Sequence, residues 1–288
     1  RGVTSTLFRS DAYRKLNVAR RYIVTAYKVR KHAAMFREVQ AFCFFVGHNK
    51  SGTSMTGALL DAHPDVILSD EEDALQYVPA GFSREQIFHL LLKGSRREAM
   101  KGRVTARRLT PYSFEVPGQW QGRYHTLRVI GDSTSGSSTR RLARDPALLE
   151  QLQRTMGDTR VKLIQVIRNP YDPISVMMVR GKRSFENACE HYFASCQSLV
   201  ALRNRLDSAQ LLALKYEDFI AEPEMHLTTV CRYLGIAAHE DYINACASIL
   251  HKEPDRRRTM VPWNDRWIAI VQQQIERYDF LQGYSFEG

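Results

Sequence analysis

Hydrophobic and polar positions along the chain fall into short apolar runs separated by longer mixed stretches. Residues 41–46 (A-F-C-F-F-V) form an unbroken apolar run of strand length, closed by Gly47. Four more runs follow at 65–69 (D-V-I-L-S), 127–130 before Gly131-Asp132, 161–167 (V-K-L-I-Q-V-I) and 210–215 (Q-L-L-A-L-K). Runs without polar alternation belong to strands buried on both faces. Between them lie stretches with helical character at 52–62 (halted by His63-Pro64), 84–92, 146–156, 185–206, 224–234 and 266–278. Residues 10–39 contain neither Gly nor Pro and read as one or two helices.

Strands alternating with helices predict an α/β fold: a P-loop-like, three-layer arrangement with a central parallel sheet flanked by helices. The least regular stretch, 93–124, is rich in Arg, Gly and Pro and reads as an insertion. The expected organisation is a basic helical arm over 1–40 and one α/β domain over 41–288.

Composition adds little to the fold and more to the partners. The 288 residues are 44% hydrophobic and 25% charged, as in ordinary soluble proteins, and no apolar run is long enough to span a bilayer. The net charge of +10 is concentrated in the arm, where ten Lys and Arg stand against Asp11 and Glu38. That arm reads as a solvated helix face, or as a contact for a membrane surface or another subunit. Cys43, Cys189, Cys196, Cys231 and Cys246 show no C-x-x-C pair, so they read as buried small hydrophobes, not as a zinc site or disulfide frame. The expectation is a cytoplasmic protein with no metal. A removed upstream anchor would change the compartment.

The chemistry concentrates in Gly47-His48-Asn49-Lys50-Ser51-Gly52-Thr53-Ser54, set between the first strand and a helix. Glycines permit the sharp turn, and free N–H groups at the helix start face an anion. The two glycines and Ser54 match the triphosphatase pattern G-x-x-x-x-G-K-[ST], but Thr53 stands in place of its lysine. A lysine appears inside the loop instead, at Lys50, placed to sit over a 5′-phosphate and its bridging oxygen. The strand 161–167 departs in the same sense. It ends in Arg168, where a magnesium-holding strand ends in an acid. A cation at the carboxyl edge of a parallel sheet can hold a phosphate, or simply bridge to a loop.

Together these segments resemble the sulfotransferase superfamily of bacterial type, which uses 3′-phosphoadenosine 5′-phosphosulfate (PAPS) and releases 3′-phosphoadenosine 5′-phosphate (PAP). The resemblance extends to H-P-D-V-I-L-S-D-E-E-D-A-L, L-A-L-K-Y-E-D-F-I-A-E-P-E, R-R-R-T-M-V-P-W and F-L-Q-G-Y-S-F-E, spanning about residues 41–288. It implies that Lys50 steadies the leaving phosphate oxygen, and that Ser51, Gly52, Thr53 and Ser54 hold the 5′-phosphate. Arg168 would bind the 3′-phosphate. The family's Ser eight positions after that Arg is here Val176, with Ser175 one position earlier. Arg257 and Arg258 resemble the basic residues of a late loop that closes over the nucleotide.

The acceptor must lose a proton as it attacks sulfur, so a general base belongs near the transferred group. Alignment to the related pattern favours Glu71 within Asp70-Glu71-Glu72-Asp73, with Glu72 second; the same four acids also read as a solvated loop. Related sequences often carry G-D-K-K-G-G where this chain has Gly131-Asp132-Ser133-Thr134-Ser135-Gly136, so an assisting lysine is missing there. His191, Tyr192, Trp263 and Trp267 read as packing residues, while His48 lies where it could touch the acceptor.

The resulting expectation is in-line sulfuryl transfer from PAPS to a hydroxyl or amine of a small-molecule, glycan or lipid acceptor, without nucleic acid or metal. A phosphotransferase using ATP is the rival, but it lacks its lysine after Gly52 and its acid at the strand end. A non-catalytic nucleotide-binding relative, or a basic module for nucleic acid or membrane, completes the alternatives.

Overall fold

The computed structural model describes residues 11–104, 113–251 and 253–288. Part of the arm (1–10) and part of the irregular 93–124 stretch fall outside these. Five strands, β1 (Ala41–Gly47), β2 (Val66–Ser69), β3 (Val129–Asp132), β4 (Arg160–Ile167) and β5 (Leu211–Lys215), form one sheet in the order β2-β3-β1-β4-β5. Every pairing is parallel. Strand β1 lies at the centre and is buried along its whole length. Its side chains divide by parity, Phe42, Phe44 and Val46 packing into one core and Ala41, Cys43 and Phe45 into the other. Two helical layers therefore cover the sheet, which is why the strand reads as an unbroken apolar run.

The helices are α1 (Asp11–His32), α2 (Thr53–Asp61), α3 (Arg84–Met100), α4 (Gly136–Arg144), α5 (Leu148–Met156), α6 (Tyr171–Val179), α7 (Phe185–Arg203), α8 (Tyr216–Ala221), α9 (Pro223–Leu234), α10 (Glu240–Ser248) and α11 (Asp265–Ile275). Within its described residues the arm is one long helix followed by a short helical turn, Ala33–Phe36. Helix α3 begins at a capping box, Ser83 with Gln86, and runs past its expected end at 92, straight through Gly94. The reason is steric, since a Cβ on Gly94 would come within 2.1 Å of Ser69 Oγ. The glycine marks a close approach of helix to strand and does not end the helix. Helices α4, α6, α8 and α10, each of nine residues or fewer, lie outside the stretches expected to be helical.

Helix α1 packs against α3. Gln86 Nε2 donates to the Tyr22 carbonyl and to Thr25 Oγ1, both at 3.0 Å, and the Tyr22 ring meets Phe82 edge-on at 5.2 Å. The opposite face leaves Leu16, Ile23 and Tyr27 exposed. All five cysteines are free and buried. Among the described residues no helix is long and apolar enough to cross a membrane.

Candidate active site

In an open parallel sheet, ligands gather where the strands end. Here a cleft of about 550 Å³ lies at that edge. Its walls come from the segments just after each strand: Asn49, Lys50 and Gly52–Met55 after β1 (Ser51 is buried behind them), Asp70, Glu71 and Asp73 after β2, Ser133–Ser135 after β3, Arg168 after β4 and Tyr216 after β5. Arg180 at the end of α6 and Glu253, Asp255 and Arg257 of the late loop close it.

The first wall is the loop before α2. Gly52 caps that helix in a left-handed conformation (φ 97°), and a Cβ there would meet the Tyr216 ring at 2.4 Å. Conformation and space both demand glycine. Lys50 is also left-handed (φ 71°), a cost of about 1–2 kcal/mol for a residue with a Cβ. The first amides of α2 have no partner within the helix, which presents partial positive charge to the cleft. Thr53 Oγ1 lies 3.4 Å from Ser135 Oγ, while Ser51 Oγ is buried with no hydrogen-bond partner among the described residues.

Arg168 ties this loop to the late segment. Its guanidinium donates to the Lys50 carbonyl at 3.4 Å and to the Asp255 carbonyl, and stacks 4.8 Å over the Tyr216 ring. The buried Asp172 carboxylate lies 3.5 Å from its Nε, which has no hydrogen-bond partner among the described residues. Arg257 lines the cleft and pairs with Asp255.

Two expected contacts fall elsewhere. The Ser175 hydroxyl is fully buried, donating to the Tyr171 carbonyl at 2.7 Å and accepting from Trp263 Nε1 at 3.0 Å. Val176 is the residue that lines the cleft there. Arg258 is also buried away from the cleft. It spends its donors on the carbonyls of Ser285 (3.1 Å) and Phe286 (2.7 Å), and its own amide donates to Asp172 at 2.8 Å. Both residues stand behind the wall of the cleft without forming its surface.

The second wall is the acidic loop after β2, and its four acids do four different things. Asp70 accepts from Ser133 Oγ at 2.7 Å. Glu72 turns inward, accepting from Arg21 and, at 2.9 Å, from the Tyr77 hydroxyl. Burial and the Glu72 charge raise the Tyr77 pKa, so the phenol stays a donor. Asp73 takes Arg141 in two bonds of 2.8 and 2.6 Å. Glu71 alone is exposed toward the cleft, and among the described residues no hydrogen bond or ion pair engages its carboxylate. The position favoured for a base is therefore open, and the second choice, Glu72, is a buried anchor.

Beneath this loop sits Asp132, buried at the end of β3. It accepts from the amides of Glu72 (3.3 Å) and Ala74 (2.7 Å) and from Thr134 Oγ1 at 2.9 Å. Burial pushes its carboxyl up to about 7. His48 lies under the first loop, stacked 3.8 Å from Tyr192, with Nε2 3.0 Å from the Tyr192 carbonyl. Burial pulls its pKa down to about 4, so it is a neutral packing group and not a wall of the cleft.

Reading the sequence missed Arg180, Tyr216 and Ser137 as lining residues. Tyr216 had a usable signal, since it directly follows the strand run 210–215 at the ligand-binding edge. Arg180 had none, because the helix carrying it has no marked boundary.

The sequence matches the model of the sulfotransferase family over residues 43–241. The chain belongs to that family. No curated protein matches it. Among solved structures, this sulfotransferase is similar to the sulfotransferase domain from the curacin biosynthetic pathway (14% identity, TM-score 0.50, covering 84% of this chain and 99% of that one). It is also similar to the sulfotransferase domain of the Synechococcus PCC 7002 olefin synthase (16% identity, TM-score 0.49, covering 84% and 96%). A third is a mouse sulfotransferase complexed with PAP (13% identity, TM-score 0.45, covering 86% and 85%). At such identities the first likeness speaks to the fold alone. The family match is what makes the protein an enzyme of sulfuryl transfer.

Proposed function

We propose that this sulfotransferase moves a sulfuryl group in line from PAPS to a hydroxyl or amine, with Glu71 as general base. One observation carries the reading: Lys50, Arg168 and Glu71, whose carboxylate has no partner among the described residues, line the same cleft. When bound, PAPS supplies the activated sulfuryl group. The chain's own residues fit such a donor, because Gly52 opens the helix start to an anion and Lys50, Arg168, Arg180 and Arg257 add fixed positive charge. Ser51, with its unpartnered buried hydroxyl, and Thr53 and Ser54 complete the 5′-phosphate side.

Lys50 stabilises negative charge on the departing phosphate oxygen, and Arg168 holds the 3′-phosphate. Glu71 takes the acceptor's proton as its oxygen or nitrogen closes on sulfur. Asp73, neutralised by Arg141, and Asp70, bonded to Ser133, do not compete for that proton. The hydroxyls of Ser133, Thr134, Ser135 and Ser137 make the remaining lining polar where related sequences carry lysines. That favours a polar acceptor group, such as a glycan or other small-molecule hydroxyl.

The test is thermal unfolding with PAP, against 5′-AMP and against magnesium-ATP. A ligand at a hundredfold its dissociation constant adds about 2.7 kcal/mol to the folded state. PAP alone should raise the midpoint, and Lys50→Ala should shrink the rise. Stabilisation by magnesium-ATP and not by PAP would overturn the reading.

A further inference from the structure

We propose that Arg21, on a helix outside the span matched to the family, is a positioning residue that holds the Glu71 carboxylate toward the acceptor. The proposal rests on Glu71 being the base.

Glu71 (φ 56°) and Asp73 (φ 57°) are both left-handed, so the acidic loop is strained at two residues of four. Strained backbone persists only where its surroundings fix it. Each neighbour of Glu71 is fixed. Asp70 is bonded to Ser133, Asp73 to Arg141, and the Asp73 amide donates to Thr134 Oγ1 at 3.2 Å. Asp132 gathers the amides of Glu72 and Ala74.

Glu72, the residue next to Glu71, is held from outside the loop. Its buried carboxylate receives Arg21 and Tyr77, while Arg97 lies farther off at 3.8 Å and is 43% exposed. Arg21 is delivered by a docked helix. Gln86 bonds α1 through Tyr22 and Thr25, and the Arg21 guanidinium lies 5.8 Å over the Tyr77 ring. Without Arg21, a buried negative charge loses its nearest cation, and the loop loses the tie beside its strained residue. Glu71 would remain present but misaimed, and small misplacements of a reacting group are costly.

The test uses PAPS hydrolysis, in which water stands in for the acceptor. The water oxygen bonds to sulfur, and sulfur's bond to the bridging oxygen breaks. That oxygen leaves with the electron pair on PAP, and the proton goes to Glu71. Arg21→Ala should lower kcat by about tenfold to a hundredfold with KM for PAPS nearly unchanged, and Arg21→Lys should recover part of the loss. Lys28→Ala, exposed on the same helix, should match wild type.

In the ligand-free protein, amide exchange over residues 70–74 should quicken in Arg21→Ala and not in Lys28→Ala. Because Arg21 acts through Glu71, the double variant Arg21→Ala/Glu71→Gln should be no slower than Glu71→Gln alone. Should Arg21→Ala fail to fold, Tyr77→Phe removes a second tie on Glu72 and should give a smaller loss of the same kind. Wild-type turnover in Arg21→Ala beside an inactive Glu71→Gln overturns the positioning role and spares the base. Additive losses in the double variant do the same. Wild-type turnover in Glu71→Gln overturns both.

Discussion

The two walls of the cleft are built on different plans. The wall proposed to take the nucleotide centres on one contiguous loop, 47–54, with a left-handed Gly52 packed against Tyr216, a helix start behind it, and ties to Thr139, Ser135 and Arg168. The acceptor-side wall is held at a distance. Three of its four acids, Asp70, Glu72 and Asp73, take side-chain partners from α1, α3, α4, the Tyr77 turn and Ser133, residues 21 to 141, and Asp132 of β3 holds the backbone beneath them. Anion binding needs free amides and a cation, which one short segment can carry. A positioned carboxylate needs partners that occupy the other acids of its loop, and those come from across the fold.

Substitutions should separate the walls, and Glu71→Gln should have the largest effect. It should cost about 10²–10⁴ in turnover while PAP affinity, measured by calorimetry, stays as in wild type. Lost PAP affinity would place Glu71 on the nucleotide side. The mirror experiment is Gly52→Ala, expected to weaken PAP binding by about a hundredfold because the loop must move off Tyr216. Unchanged affinity would mean that the cradle tolerates a Cβ.

Smaller effects sharpen the contrast. Asp132→Asn turns one acceptor oxygen into a donor facing backbone amides, and should destabilise the fold by about 1–3 kcal/mol in denaturant melts. Ser175→Ala should cost about 1 kcal/mol of stability through its bonds to Tyr171 and Trp263 and leave PAP affinity unaltered. A clear affinity loss would return Ser175 to the phosphate site.

A further effect is in pH. His48 has a folded pKa of about 4, below its ordinary 6.5, so the stability it lends is present above 6.5 and fades as pH falls through 4. His48→Gln should flatten that part of the acid limb in melts between pH 4 and 7.

How much of this was legible follows the same division. Strands β1 to β4 stood out because both faces of each are covered, leaving no polar alternation to confuse them, while β5, a partly buried edge strand, stood out by its short apolar run alone. Lys50 and Arg168 could be read because each sits at a fixed place beside a strand end. The late loop was half legible. Arg257 and Arg258 are adjacent and alike in sequence, yet one lines the cleft and the other braces Ser285 and Phe286. Nothing local separates them, since the difference lies in where residues 285–286 return. The role of Arg21 was invisible for the same reason. A basic helix looks solvated until its partner acid, 51 positions later, is seen beside it.

Arg168 has a consequence for how the nucleotide comes and goes. Its guanidinium already joins the carbonyls of Lys50 and Asp255, residues from opposite ends of the domain. A wall assembled in advance spares the incoming ligand the entropy of gathering loose segments. Affinity on this side can then come from charge and fit, with no folding transition coupled to capture. Departure of PAP is correspondingly a matter of breaking ion pairs, and should quicken as salt screens them.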